Sequence, residues 1–266
     1  MMNQTPSVRF TFLMVLLSVL SALIIGSIFG AMDPAILSGS NPGLATYFAM
    51  FIGQSFLIIP VLYYLKSKKF NLIDSLRLNF VSSKIIYATV FISIGAMILS
   101  DEINILVGMV IPIPDSFLQI EALLKPENPF SFALLIITIV IIAPIGEELL
   151  FRGFLQKSLE NIWNDVTRAI LFSSLFFAVI HFNPFWIIQI YFLGVLLGFL
   201  AWKTNSIIPC IIFHVIINAT SLFFTSIEDS IETIILWNGH INPLIILIGG
   251  LSFWYGFKRL NAQGVT

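Results

Sequence analysis

The chain is short of charge and nearly empty of cysteine and histidine. Its 266 residues include 13 Lys and Arg, 14 Asp and Glu, three His and one Cys, and 10% of them are charged, against about 25% in an ordinary soluble domain. Each shortage excludes something. With so few polar groups the chain cannot clothe a soluble globule of this length, so hydrocarbon is the solvent it is built for. A formal net charge of −1, with no basic patch interleaved with aromatics, gives no reason to expect nucleic acid as a partner. The lone Cys210 permits neither an intrachain disulfide nor a multi-cysteine metal cluster, and its apolar surroundings read as those of a small core residue.

What is abundant is apolar: 58% of the residues are hydrophobic, 26 of them Phe, and the mean hydropathy is +0.99. Windows of about 20 apolar residues suit a hydrocarbon core about 30 Å thick. Eight segments qualify: Val8 to Ala31, Leu44 to Leu65, Ile85 to Ser100, Phe130 to Leu155, Thr167 to His181, Pro184 to Trp202, Ile207 to Phe224 and Pro243 to Phe257. Phe10 to Ala31 is apolar for longer than the roughly 7 to 15 residues of a signal-peptide core, and is read as a retained span.

The expected fold is an all-α polytopic membrane protein, a bundle of about eight transmembrane helices, in a single domain over 1–266. Basic residues concentrate in cytoplasmic loops. Threading eight spans with the N-terminus inside puts Arg9, Lys66, Lys68, Lys69, Arg77, Lys84, Arg152, Lys157, Arg168, Lys203, Lys258 and Arg259 on that side and Lys125 outside. Both termini are therefore expected in the cytoplasm. The stretch from Asp101 to Pro129 is polar and punctuated by prolines, and is expected to lie along the outer surface. Gly26 with Gly30, and Gly194 with Gly198, are small residues four apart, a spacing read here as close helix packing.

A charged side chain inside a span costs roughly 2.5 to 3.5 kcal/mol on insertion scales, so those that persist usually face a cavity and carry function. The fourth segment holds Glu147, Glu148 and Arg152. Glu148 and Arg152 are four apart on one helical face, the acid nearer the N-terminus, as an ion pair prefers. Glu147 points about 100° away and is left available for proton chemistry. His181 closes the fifth segment, just before the helix-breaking Pro184. His214 and Asn218 form a polar stripe on the seventh. Each has a plain alternative: a histidine or asparagine that merely bonds helix to helix, or an Arg152 that snorkels to the interface. His240, in a polar outer loop, is expected to be incidental.

Together these residues resemble the CPBP (CAAX protease and bacteriocin-processing, or Abi) family of membrane proteases. Glu147 Glu148 x x x Arg152 resembles its first motif, Phe177 x x x His181 its second and His214 x x x Asn218 its third. The resemblance covers about Pro144 to Asn218, within an expected catalytic core of about 130–225. It implies hydrolysis of a peptide bond in a membrane-embedded or membrane-associated substrate, in a multi-pass protein of the plasma membrane. By the same resemblance Glu147 and His181 would deprotonate a water, His214 and Asn218 would stabilise the oxyanion, and Glu148 and Arg152 would order the site. Family members process peptides, mature bacteriocins or confer self-immunity, and trim prenylated C-termini. No metal is favoured. Zinc on Glu147, His181 and His214 remains an alternative, because one carboxylate and two histidines suffice as ligands, although no His-Glu-x-x-His is present.

Counting 1.5 Å per residue from Thr167 sets His181 too far outward to meet Glu147, so the fifth helix is expected to begin early, near Asn161. Two other readings stand beside the protease: a non-catalytic scaffold or regulator of the same fold, and an ion-coupled transporter. The transporter should show two related halves with broken helices in matching places, whereas these polar residues crowd into the later spans.

Overall fold

A computed structural model describes residues 6–34, 41–111, 124–126 and 128–263, apart from the side chains of 226–234. Helices account for nearly all of it. The first, α1 (Val8–Gly30), starts where the Ser7 side chain accepts from Phe10 N. The next column is α2 (Leu44–Phe56) followed by α3 (Ile59–Ser67). Asp33, 2% exposed, anchors its beginning by accepting from Gly43 N, Thr46 N and the Thr46 hydroxyl. A single turn, α4 (Leu72–Ser75), leads to α5 (Ser83–Val110).

A continuous helix of 35 residues, α6 (Pro129–Trp163), carries both glutamates. Two stretches of it, Ile137–Ile142 and Leu149–Gln156, are wound as π-helix and flank the α-helical turn Ala143–Glu148. The cause is legible at Pro144. Ala143 N donates to Thr138 O, five residues back instead of four. The next bond of that ladder would run from residue 144 to Ile139 O, and proline has no N–H to give. Thereafter come α7 (Val166–Val179), α8 (Ile187–Thr204), α9 (Ile208–Ile235), a small hairpin of β1 (Leu236–Trp237) and β2 (His240–Ile241), and α10 (Pro243–Asn261).

Among the described residues six helices are long and apolar enough to cross a membrane, which makes this an all-α polytopic membrane protein with fewer full spans there than the eight expected. The fifth segment falls short because α7 has 14 residues, about 21 Å of helix. The eighth is helical over 19 residues but ends on Lys258, Arg259 and Asn261, and is not among the six. Between 22% and 33% of the most apolar window of each span is buried within the protein.

Two more expectations need correction. The third helix does not stop at Ser100 but continues to Val110, because its acids find partners: Asp101 Oδ1 accepts from Gln189 Nε2, and Glu102 accepts from Ile241 N at 2.9 Å and contacts His240 Nδ1 at 2.7 Å. Residues 101–110 therefore extend a span, and His240 ties the hairpin to α5; within the expected surface segment, 112–123 and 127 lie outside the described residues. Nor does α7 begin near Asn161. Asn164 takes a left-handed conformation (φ 52°) that ends α6, and Asp165 caps the new helix by accepting from Arg168 N at 2.9 Å.

That sharp hairpin sets the level of the site. Glu147 lies 16 positions before Trp163 and His181 lies 15 positions after Val166, so both stand about 22 to 24 Å from the bend on neighbouring helices. An early helix start is unnecessary.

Candidate active site

Glu148 and Arg152 pair as their spacing predicts: Arg152 Nη1 donates to Glu148 Oε1 at 2.9 Å, with 0% and 1% of their side chains exposed. Arg152 therefore does not snorkel. Its second nitrogen, Nη2, donates to Gly194 O, and its guanidinium lies 4.1 Å from the centre of the Phe177 ring. One turn on, Gln156 Nε2 repeats the pattern, reaching Gly198 O and Glu160 Oε1.

The small residues of α8 are what admit this polar ladder. A Cβ at Gly194 would stand 3.1 Å from Ser174 Cβ, and one at Gly198 would stand 2.9 Å from Gln156 Oε1. The packing role read from their spacing is thus correct, and it serves the site directly.

His214 Nδ1 lies 2.9 Å from the same Glu148 Oε1 that holds Arg152. A carboxylate oxygen accepts, so Nδ1 carries the proton and Nε2 faces away from Glu148. His181 Nδ1 lies 2.7 Å from Phe177 O. A carbonyl can only accept, so here too Nδ1 is the donor. Both Nε2 atoms then meet one oxygen: His181 Nε2 and His214 Nε2 are each 3.9 Å from Glu147 Oε2. Glu147 is 8% exposed, and its Oε2 has no hydrogen-bond donor among the described residues. His181 is the rim of the arrangement, with 29% of its side chain accessible. Phe177 sits edge-on between the imidazoles, its ring 4.8 Å from His181 and 5.8 Å from His214, and fixes their planes.

Asn218 stands apart from this cluster. Its Nδ2 donates to Ile139 O at 2.9 Å, the carbonyl that Pro144 leaves without a helical partner. One of its two amide hydrogens is thereby committed to the backbone of α6. Cys210 is fully buried, its Sγ 3.2 Å from Leu197 O.

Behind the first pair lies a second, partly buried one that the spacing of the charges alone did not bring out. Arg77, 3% exposed, pairs with Glu160 and donates from Nη1 to Arg152 O. Glu148, Arg152, Gln156 and Glu160 recur every four residues, and that row was a readable signal for the whole ladder.

As a metal centre the three donors fit poorly. Tetrahedral bonds of about 2.1 Å would set the donor atoms about 3.4 Å apart, whereas Glu147 Oε2 is 3.9 Å from each imidazole. Among the described residues no group of three or more His, Cys, Asp or Glu is arranged to hold a metal ion.

A polytopic helical membrane protein with a carboxylate facing two imidazoles inside its helix bundle is the class defined by these observations. Residues 129–220 match the family model described as Type II CAAX prenyl endopeptidase Rce1-like. The match opens at the first residue of α6 and closes just beyond Asn218, so it contains all three motifs and agrees with the CPBP resemblance drawn from them. It is a match to a family of CAAX-type proteases, whose substrates are membrane-associated peptides or proteins. No curated protein and no solved structure matches the chain.

Proposed function

We propose that the chain is an intramembrane endopeptidase that hydrolyses a peptide bond of a membrane-associated protein or peptide, with Glu147 as general base. The observation that carries this reading is Glu147 Oε2, a buried carboxylate oxygen with no hydrogen-bond donor among the described residues, facing the Nε2 atoms of two imidazoles at 3.9 Å. A separation of that size is too long for a direct hydrogen bond and right for atoms that share one water. Such a water gives one proton to Glu147 and is aimed by His181 Nε2 from the accessible rim. Attack on the scissile carbonyl then develops negative charge on its oxygen, and collapse of that intermediate breaks the C–N bond as Glu147 returns the proton to the leaving amine.

His214 meets that oxyanion by donating from Nε2, while Glu148 holds its Nδ1–H and fixes the ring. Asn218 has its second amide hydrogen to offer to the same oxygen. Glu148 and Arg152 act by orienting His214 and Phe177. No step is routed through a metal.

The remaining particulars are part of the same proposal: one domain over 1–266 with its catalytic core at about 130–225, both termini cytoplasmic as the basic residues suggest, and residence in the plasma membrane. The deciding experiment is a cleavage screen of membrane-anchored candidate peptides with wild type against Glu147→Ala. Cleavage by wild type alone is expected. Equal cleavage by the variant sinks the assignment.

A further inference from the structure

Away from the glutamates, a cavity of about 440 Å³ opens beside the first turn of α5, between it and the last turns of α10; Lys84, Tyr87, Tyr255, Arg259 and Gln263 are among its lining residues. Two cations line it and no acid does. Among the described residues neither Lys84 nor Arg259 has a carboxylate partner, so their charge is not spent on an ion pair. The Arg259 guanidinium lies 5.1 Å from the Tyr255 ring centre, which restricts its swing while leaving its N–H fork free.

Exposed aromatics surround these cations. Tyr87 is 69% exposed, Trp254 is 58% exposed with Lys258 Nζ 4.9 Å above it, and Phe80 is 96% exposed. Large amphipathic rings beside Lys and Arg at helix ends are the signature of the bilayer interface. A second cavity of about 340 Å³ adjoins the first at Gln263; Phe80, Val81 and Ile85 line it together with the polar Asn79, Ser82, Thr204 and Asn205. Its three apolar side chains stand next to the cationic site.

We propose that this pair of cavities binds an anionic phospholipid, its phosphate between Lys84 and Arg259 and its glycerol and upper acyl region against Phe80 and Val81. Paired cations select a phosphate-bearing headgroup. The exposed aromatics and the apolar side chains of Phe80, Val81 and Ile85 select a lipid over free phosphate. The α5 N-terminus, whose Ser82 makes no side-chain cap, adds partial positive charge on the same side.

The test uses the full chain in phosphatidylcholine nanodiscs doped with phosphatidylglycerol, with bound lipid counted by native mass spectrometry and stability read by thermal unfolding. Wild type is expected to retain phosphatidylglycerol and to unfold at higher temperature in its presence. Lys84→Gln with Arg259→Gln should weaken retention about 10-fold or more, the effect expected of two cations near the surface, while Lys66→Gln and the charge-conserving Lys84→Arg leave it unchanged. Equal retention by the double glutamine variant overturns the proposal. So does equal retention of phosphatidylcholine by wild type, a measurement that stands even where the double variant does not fold. Inorganic phosphate that displaces the lipid and reproduces the stabilisation overturns the assignment to a lipid. None of these readouts depends on peptide cleavage, so the site is judged apart from the protease reading.

Discussion

Asn218 donates to the carbonyl of Ile139 at 2.9 Å, and so mends the gap that Pro144 opens in α6. Asn218→Ala strands that carbonyl at a cost of about 1 to 3 kcal/mol. Pro144→Ala restores a backbone N–H at the missing rung, so the same Asn218→Ala change in that background should cost less than half as much. Thermal unfolding of the four proteins in one detergent checks it. If cleavage nevertheless disappears whenever Asn218 is replaced, in a stable Pro144→Ala background as well, the residue also acts on the oxyanion.

Glu147→Gln should lower peptide cleavage by about 10²- to 10⁴-fold, the usual worth of a positioned general base. The unfolding temperature should hold or rise, because the lost charge has no protein donor. A variant that cleaves normally, or one that loses activity only by unfolding, contradicts a catalytic role.

The buried Glu148 and Arg152 pair should behave as a unit. Arg152→Met alone leaves an uncompensated buried carboxylate and costs about 3 to 5 kcal/mol. Adding Glu148→Leu removes that charge, and the double variant should be more stable than either single one despite the lost partner of His214. A strictly additive double-mutant cycle would show that the pair is not coupled.

Gly194→Ala should disturb the site from a distance. The new Cβ meets Ser174 at 3.1 Å, which pushes α8 away and draws the Gly194 carbonyl off Arg152. Activity is expected to fall together with stability, whereas Gly250→Ala, where nothing lies within 4 Å, should change neither.

Removing metal should not matter. Purified protein treated with a chelator is expected to keep its cleavage activity and to hold no stoichiometric zinc by elemental analysis. Activity lost on chelation and regained with zinc would require the three donors to close up from 3.9 Å.

The legibility of this molecule was uneven. Glu148 and Arg152 could be paired from spacing alone because side chains four apart share a helical face, even where the winding turns to π. The unpaired Glu147 followed from the same geometry. Asn218 could not be placed that way: its partner is a backbone carbonyl orphaned by a proline five residues on, and ordinary helical counting looks four residues on. The levels of Glu147 and His181 seemed not to match because the fourth segment was ended at Leu155, whereas α6 runs on to Trp163; Asn164 and the capping Asp165 were there to mark the bend. Asp101 and Glu102 seemed to end a span; Gln189 and His240, far off in sequence, supply the contacts that let the helix continue.

The brevity of α7 bears on how a bilayer admits hydrolysis at all. About 21 Å of helix, short of a hydrocarbon layer about 30 Å deep, gives way at Ile180 to seven residues of irregular backbone, 180–186, before α8 begins. Amide and carbonyl groups cannot face acyl chains bare, so such a segment must be walled by protein or wetted. By stopping one rod early beside His181, the chain puts backbone that demands polar company next to the most accessible member of the site.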